Sequence, residues 1–216
     1  MRPVMEDQDI KDRILKGSEA LFMKYGVRSI SMDDVARHLS VSKKTLYQHF
    51  ADKDEIVTKV SQAHCDRNLI ESDAITSTAE NAIDELARLS VMLKKQMEEI
   101  NPSLLFDLQK YHPAAWGVWS EFKNKCIRDS VVRNLEQGIV EGHFRPDLNP
   151  EILASARIIM VEAAFDEHYF PRHKFNIVEV QSQLFDHFVF GLCTEKGRKL
   201  YAKYRTELMN LESIPK

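Results

Sequence analysis

Apolar residues along this 216-residue chain recur with a helical period almost from end to end. After a loose tail at residues 1–7, Ile10, Ile14, Leu15, Leu21, Phe22 and Tyr25 mark one face of a helix over Gln8–Tyr25, and Gly26 stops it as a residue with positive φ. Val27–Ile30 is a linker. Ser31 then reads as an N-cap, with Asp33 and Asp34 in a first turn where the helix dipole favours acids, and Val35, Ala36 and Leu39 turned inward. Ser40-Val41 is a turn, Ser42 the next N-cap, and Leu46 and Phe50 the inward positions of a third short helix. Asp52 opens a long helix to about Ile70 or Ser72, with Thr76–Ala79 read as a polar break after it.

The period continues through the rest of the chain. Ile83, Leu86, Leu89, Leu93, Met97 and Ile100 define a helix from Ala82 to Ile100, closed by Asn101-Pro102 because proline disfavours helix at the residue before it. Leu104–Tyr111 is short. Pro113 suits the first turn of a very long helix through about Glu141, whose stripe includes Trp116, Trp119, Cys126, Ile127, Val131, Leu135 and Ile139. Gly142 ends it, and Pro146 and Asn149-Pro150 mark a loop. Glu151 to about His168 is rich in small apolar residues, Ile177–Cys193 carries two apolar stripes, and Arg198–Leu211 makes a last helix after Gly197. No strand and no repeat emerges. The pattern predicts an all-α fold of nine or ten helices. An N-terminal helix-turn-helix domain spans residues 1–53 and a larger helical domain residues 54–216, the division falling near Asp52–Lys59.

Charge distribution adds a direction. The net charge is only −3, which argues against an indiscriminate nucleic-acid binder. Residues 10–53, however, hold 9 Lys/Arg against 5 acids, a surplus of +4, whereas residues 60–216 hold 19 against 23, a deficit of −4. A basic head on an acidic body fits one anion-facing surface. Cys65, Cys126 and Cys193 are sparse and far apart, as expected of buried thiols in a reducing compartment rather than a disulfide or zinc framework. With an acidic start lacking an apolar core and no apolar run near the roughly 18 residues of a membrane span, the chain is expected to be a soluble cytoplasmic protein.

The basic head has the chemistry of a major-groove reader. An α-helix fits that groove, where base edges show a distinguishing pattern of donors and acceptors, if the helix is anchored on one face and polar on the other. With Leu46 and Phe50 as anchors, Ser42, Lys43, Lys44, Thr45, Tyr47, Gln48 and His49 remain for DNA. Lys44, Thr45 and Gln48 are assigned to bases, and Tyr47, His49 and Lys53 to the backbone, where lysine–phosphate contacts make affinity fall with salt. Ser31 and Met32, at the start of the preceding helix, complete the expected surface. The competing reading is an ordinary helical hairpin with a solvated polar face.

Gly26-x-Arg28-x-x-Ser31-Met32-Asp33-Asp34-Val35-Ala36, followed by Val41-Ser42-Lys43-Lys44-Thr45-Leu46-Tyr47-x-x-Phe50-x-x-Lys53, resembles the N-terminal signature of the TetR family of transcriptional regulators over about 45 residues. Gly142-x-Phe144-Arg145-x-Asp147-Leu148-Asn149-Pro150-Glu151 is similar to the loop that precedes the dimerisation helices of that family, and Leu108–Pro113 is similar to a segment of some members. One position departs. The family usually has glycine where this chain has Ser40, a turn position that wants positive φ at a cost of about 1 kcal/mol to a non-glycine residue.

The resemblance implies a homodimer that reads a palindromic double-stranded operator, with a small, mainly apolar ligand taken up by the C-terminal domain, among the helices beginning at Asp52, Ala82, Leu104 and Pro113, and no cofactor. The helix from Asp52 would move the reader. Candidate ligand contacts are His64, Cys65, Asn68, Leu89, Met92, Leu93, Gln96, Phe106, Trp116, Trp119 and Phe122. The small residues of Glu151–His168 and the double stripe of Ile177–Cys193 make these two helices the expected dimer surface, through Ala156, Ile159, Met160, Ala163, Leu184, Phe185, Phe188 and Val189. Two alternatives stay open: a non-inducible DNA-binding regulator governed by a protein partner, and a helical enzyme. Neither a glycine-rich phosphate loop nor Gly-x-Ser-x-Gly occurs. The cluster Glu162, Asp166, Glu167, His168 and His173 matches no strong metal spacing and reads as the solvated rim of the dimer interface, so no metal and no catalytic residue is expected.

Overall fold

A computed structural model describes residues 7–212, with side chains described to residue 208. The expected tail at residues 1–7 therefore lies, apart from Asp7, outside the described residues. Eleven α-helices and one π-helical segment follow one another: α1 Asp7–Tyr25, α2 Met32–Leu39, α3 Lys43–His49, α4 Lys53–Thr78, α5 Ala82–Glu99, α6 Leu104–Tyr111, α7 Pro113–Phe122, the π segment Lys123–Ile127, α8 Arg128–Val140, α9 Pro150–Ala163, α10 Ile177–Leu192 and α11 Glu195–Glu212. The fold is all-α, as the periodicity predicts. Among the described residues the nearest approach to a strand is one isolated antiparallel bridge between Phe144 and Cys193.

Four differences from the sequence reading exceed a single residue or interrupt a helix. Thr76–Thr78 continues α4, because Ser77 and Thr78 turn their hydroxyls back onto the Ala74 carbonyl while Thr76 bonds Glu85. Asn81 then caps α5, its Oδ1 accepting from the amides of Ile83 and Asp84 at 3.0 Å. The long helix from Pro113 is interrupted by the π segment, within which Lys123 is buried and paired with Glu162 of α9. Helix α9 ends at Ala163, five residues before the expected His168. The last helix begins before Gly197: a Cβ there would sit 2.2 Å from the His143 carbonyl oxygen, so glycine is what lets α11 approach that loop.

The chain divides into two compact units. The first comprises residues 1–67 and 99–121, so that α6 and α7 join the N-terminal helices; the second comprises residues 68–98 and 122–216. In the first, Leu104, Leu108 and Ala115 pack into one core with Ile14, Phe22, Val35, Leu46, Ile56 and their neighbours. In the second, the core gathers Ile83, Leu86, Leu135, Phe144, Phe185, Phe188, Val189, Leu192 and the fully buried Tyr201. Beneath α5, Glu85 is buried but fully engaged, taking a two-pronged bond from Arg133 (2.5 and 3.1 Å) and one from Asn134 at 3.0 Å.

Candidate nucleic-acid interface

The surface that could face DNA is built by two caps and one strained turn. At the start of α2, Ser31 Oγ accepts the Asp34 amide and donates to the Asp34 carboxylate at 2.5 Å, while Asp34 accepts the Ser31 amide at 2.9 Å. This reciprocal box satisfies two amides that the helix leaves without partners. Bonds from Ser31 hold the Asp34 carboxyl below its ordinary value. Helix α2 ends at Ser40 with φ 54° and ψ 40°, the positive φ that the sequence reading requires of a residue standing where glycine is usual. The Ser40 and Val41 amides close the turn on Arg37 and Ala36 carbonyls, and Arg13 of α1 donates to the Leu39 carbonyl at 2.5 Å. Ser42 then caps α3, accepting the Thr45 amide at 3.0 Å.

From this scaffold α3 presents one buried and one open face. Leu46 is completely buried, and Phe50 beyond the helix is 5% exposed. Ser42, Lys43, Lys44, Gln48 and the 48%-exposed Tyr47 are open, and Thr45 is half-buried with its hydroxyl 2.8 Å from that of Ser42. Lys43 is not idle: it pairs with Asp33 of α2 at 2.9 Å, and that bond and charge raise its pKa. Lys44 has no carboxylate partner among the described residues, which leaves it available for phosphate or a base edge.

Three residues assigned to DNA from sequence do other work. Met32 is 8% exposed and belongs to the core, because the helix starts one residue after its cap and turns that side chain inward. His49 is tucked beside Asp7 of α1 at 3.1 Å, with its side chain only 8% exposed. Lys53 donates to the Val27 carbonyl at 2.7 Å, and burial lowers its pKa. It pins the α1–α2 linker rather than reaching outward. Ser31 remains exposed, with its hydroxyl engaged in the cap.

A family model for the bacterial regulatory proteins of the tetR family matches residues 14–60, the segment from mid-α1 into α4 that contains this surface. A helix-turn-helix transcriptional regulator of Bacillus subtilis, YvaF, is 26% identical over 196 residues, covering 85% of this chain and 96% of the relative. The transcriptional repressor KstR2 of Mycobacterium tuberculosis is 26% identical over 146 residues, 66% of this chain and 73% of the relative. Residues 14–60 carry the DNA-binding segment of the tetR family. The relatives that the chain matches are regulators of transcription. The fold agrees over most of its length with a transcriptional regulator from Saccharomonospora viridis crystallised with choline, at a TM-score of 0.73 and 16% identity over 88% of this chain and all of that one.

The linker after α1 is held by residues almost eighty positions away. Gly26 adopts φ +80°, and a Cβ there would lie 2.9 Å from Ser103 Oγ. The Arg28 amide donates to Asp107 at 3.3 Å, the Arg28 guanidinium lies 5.4 Å from the Tyr111 ring, and Asn101 donates to the Lys24 carbonyl at 3.2 Å. One turn further, His112 Nδ1 is 2.7 Å from Asp54 at the start of α4. Sequence reading missed this set because nothing local announces a pairing across such a separation.

The candidate ligand residues divide between the two units. His64, Cys65, Phe106, Trp116 and Trp119 fall in the first, and Asn68, Leu89, Met92, Leu93, Gln96 and Phe122 in the second. His64 is 3.2 Å from Glu19, Cys65 is buried, and Asn68 accepts from Gln96 at 2.9 Å. Phe106 is 51% exposed beneath Lys110 and faces outward. Of the candidate dimer residues, Phe185, Phe188 and Val189 are interior to this chain. Ile159 is open, and Ala156, Met160, Ala163 and Leu184 are half-buried. In the acidic and histidine cluster Glu162 is held by Lys123, and Asp166 by the His168 amide; among the described residues no group of three or more ligating side chains is placed to hold a metal. Likewise, no helix of the described residues is long and apolar enough to cross a membrane.

Proposed function

We propose that this protein is a repressor that acts in the cytoplasm as a homodimer on a palindromic operator and leaves it when a small ligand occupies its C-terminal domain. Residues 1–53 read DNA and residues 54–216 dimerise and take the ligand. The observation that carries the reading is the open face of α3, on which Lys43, Lys44, Tyr47 and Gln48 surround a helix anchored from behind by Leu46. Two further observations support it. Ile152 and Ile159, two turns apart on one stripe of α9, are 65% and 64% exposed, the kind of apolar surface a second copy covers. And Asp107 of α6, a helix within the proposed ligand-binding part, accepts the Arg28 amide of the linker after α1, so that a shift of α6 would be felt by the reader as well as a shift of α4. A ligand acts in such a system only through unequal affinity for the two arrangements. The repressor sign rests on the function named for KstR2, and the uptake of a small molecule on the choline complex of the Saccharomonospora protein.

Protection of DNA upstream of the protein's own gene is the test. The proposal predicts two protected half-sites about one helical turn, or a multiple, apart, lost with Tyr47→Ala. Protection of a single asymmetric half-site would reject the dimeric reader, and no salt-dependent specific protection would reject the reader itself.

A further inference from the structure

Arg157, in the middle of α9, is 5% exposed and makes no hydrogen bond or ion pair with any described residue; its Nη1 is fully buried without a partner. The guanidinium instead lies against two rings of α10, 5.0 Å from Phe185 and 6.0 Å from Phe188. Aromatic faces offset part of the loss of hydration but accept none of the five N–H groups in the way an oxygen does. Burial lowers the pKa to about 10, so the group stays charged at neutral pH. Every carboxylate on α9 and α10 is already engaged. Glu151 is paired with Arg128 at 2.5 Å, Glu162 with Lys123, and Glu179 takes a bond from Gln183 at 3.3 Å. Asp186 is shared by Tyr201, at 2.8 Å, and Arg205.

We propose that Arg157 is the anchor for the carboxylate of a small, otherwise apolar molecule bound within the helices α9 and α10. This rests on the reading of residues 54–216 as the ligand-binding part and names the class of ligand. A buried, unpaired cation is costly to hold, and an anion that arrives from outside turns that cost into affinity. A planar guanidinium fork matches a carboxylate through two parallel bonds. The aromatic flank favours an apolar body behind the head group, whereas a free phosphate or sulfate would have to shed a much larger hydration shell to enter. A second copy of the chain is a poorer source of the anion. At 3.6 residues per turn Arg157 lies about 200° around α9 from Ile159, and so faces away from the exposed stripe that a second copy would cover.

The test is thermal unfolding of the full chain with sodium decanoate below its micelle concentration, and with decanol and sodium acetate as arms. Decanoate is expected to raise the wild-type Tm by about 4 °C or more at saturation, decanol by less than half as much, and acetate not at all. Arg157→Met is expected to abolish the decanoate rise. Equal rises with decanoate and decanol, no rise with decanoate, or a full rise in Arg157→Met would each overturn the proposal. A full rise with acetate alone would overturn the apolar body and assign the site to a free anion. If Arg157→Met does not fold, the wild-type contrast between decanoate and decanol still decides whether charge is read. Anisotropy of labelled upstream DNA on the same samples separates the two readings: intact specific DNA binding without a decanoate rise defeats the anchor alone, and loss of wild-type DNA binding defeats the regulator.

Discussion

Helices α3 and α9 distribute their side chains in opposite senses. Helix α3 is seven residues long, buries Leu46 and leaves two lysines, a tyrosine and a glutamine in water. Helix α9 is fourteen residues long, buries Ala154, Arg157 and Ile158 and leaves two isoleucines in water. Charge kept in water is cheap to keep and attracts a polyanion over a distance; apolar surface kept in water is released only by contact with another surface. Each exposed set therefore describes what would cover it: for α3 a phosphate backbone and base edges, for α9 a protein face. Arg157 is the exception that sharpens the contrast, a cation on the wrong side of its helix.

The comparison can be broken most severely at Leu46. Truncation to alanine at this fully buried position is expected to cost about 2–5 kcal/mol, lowering the Tm and abolishing DNA binding together; a Tm within a degree of wild type would show that α3 is not anchored from behind. Next is Ile159→Asp. It should convert a dimer to a monomer in light scattering while shifting the stability of the chain by no more than about 0.5 kcal/mol, because the side chain is 64% exposed. An unchanged mass would remove α9 from the interface. Ser40→Gly, relieving the left-handed backbone, is expected to stabilise by about 1 kcal/mol in denaturant unfolding without loss of DNA affinity, whereas destabilisation would mean that the Ser40 side chain is needed.

The smallest effect concerns acid. Burial pushes the Glu19 carboxyl up, but the bond from His64 and the charge of Arg67 outweigh it and leave the pKa below the usual 4.5. Its contribution is therefore complete above pH 4.5 and is lost as the pH falls below that value. Between pH 6 and pH 4, Glu19→Gln should lose less Tm than the wild type; equal losses would show that this contact does not link α1 to α4.

Much of the reader was legible because its signals are local. Ser31, Asp34 and Ser42 cap helices within three residues of themselves, and the αL turn at Ser40 is what the family resemblance implies. What escaped depends on distant partners or on a one-residue phase. Met32 sits on the inner side of α2 by the phase of its first turn, His49 is claimed by Asp7, and Lys53 by a carbonyl twenty-six residues earlier. In the C-terminal helices the double stripe of α10 correctly announced burial on two sides, but which side belongs to this chain's own core depends on α8 and α11, so Phe185, Phe188 and Val189 were assigned outward. The π segment has no signature in spacing, since one extra residue per turn hides within an ordinary helical period. Arg157 shows the same limit: an arginine in a stripe of small residues reads as a surface group until its neighbours are known.

The central claim is that an exposed, cation-bearing face of α3 reads DNA. Fluorescence anisotropy of labelled upstream DNA, measured from about 50 to 200 mM salt for the wild type and Lys44→Ala, tests it most directly. The account predicts that log affinity falls linearly with log salt, and that Lys44→Ala weakens binding and reduces the slope by about 1, with the Tm unchanged. An affinity independent of salt, or a Lys44→Ala slope identical to that of the wild type, would contradict it.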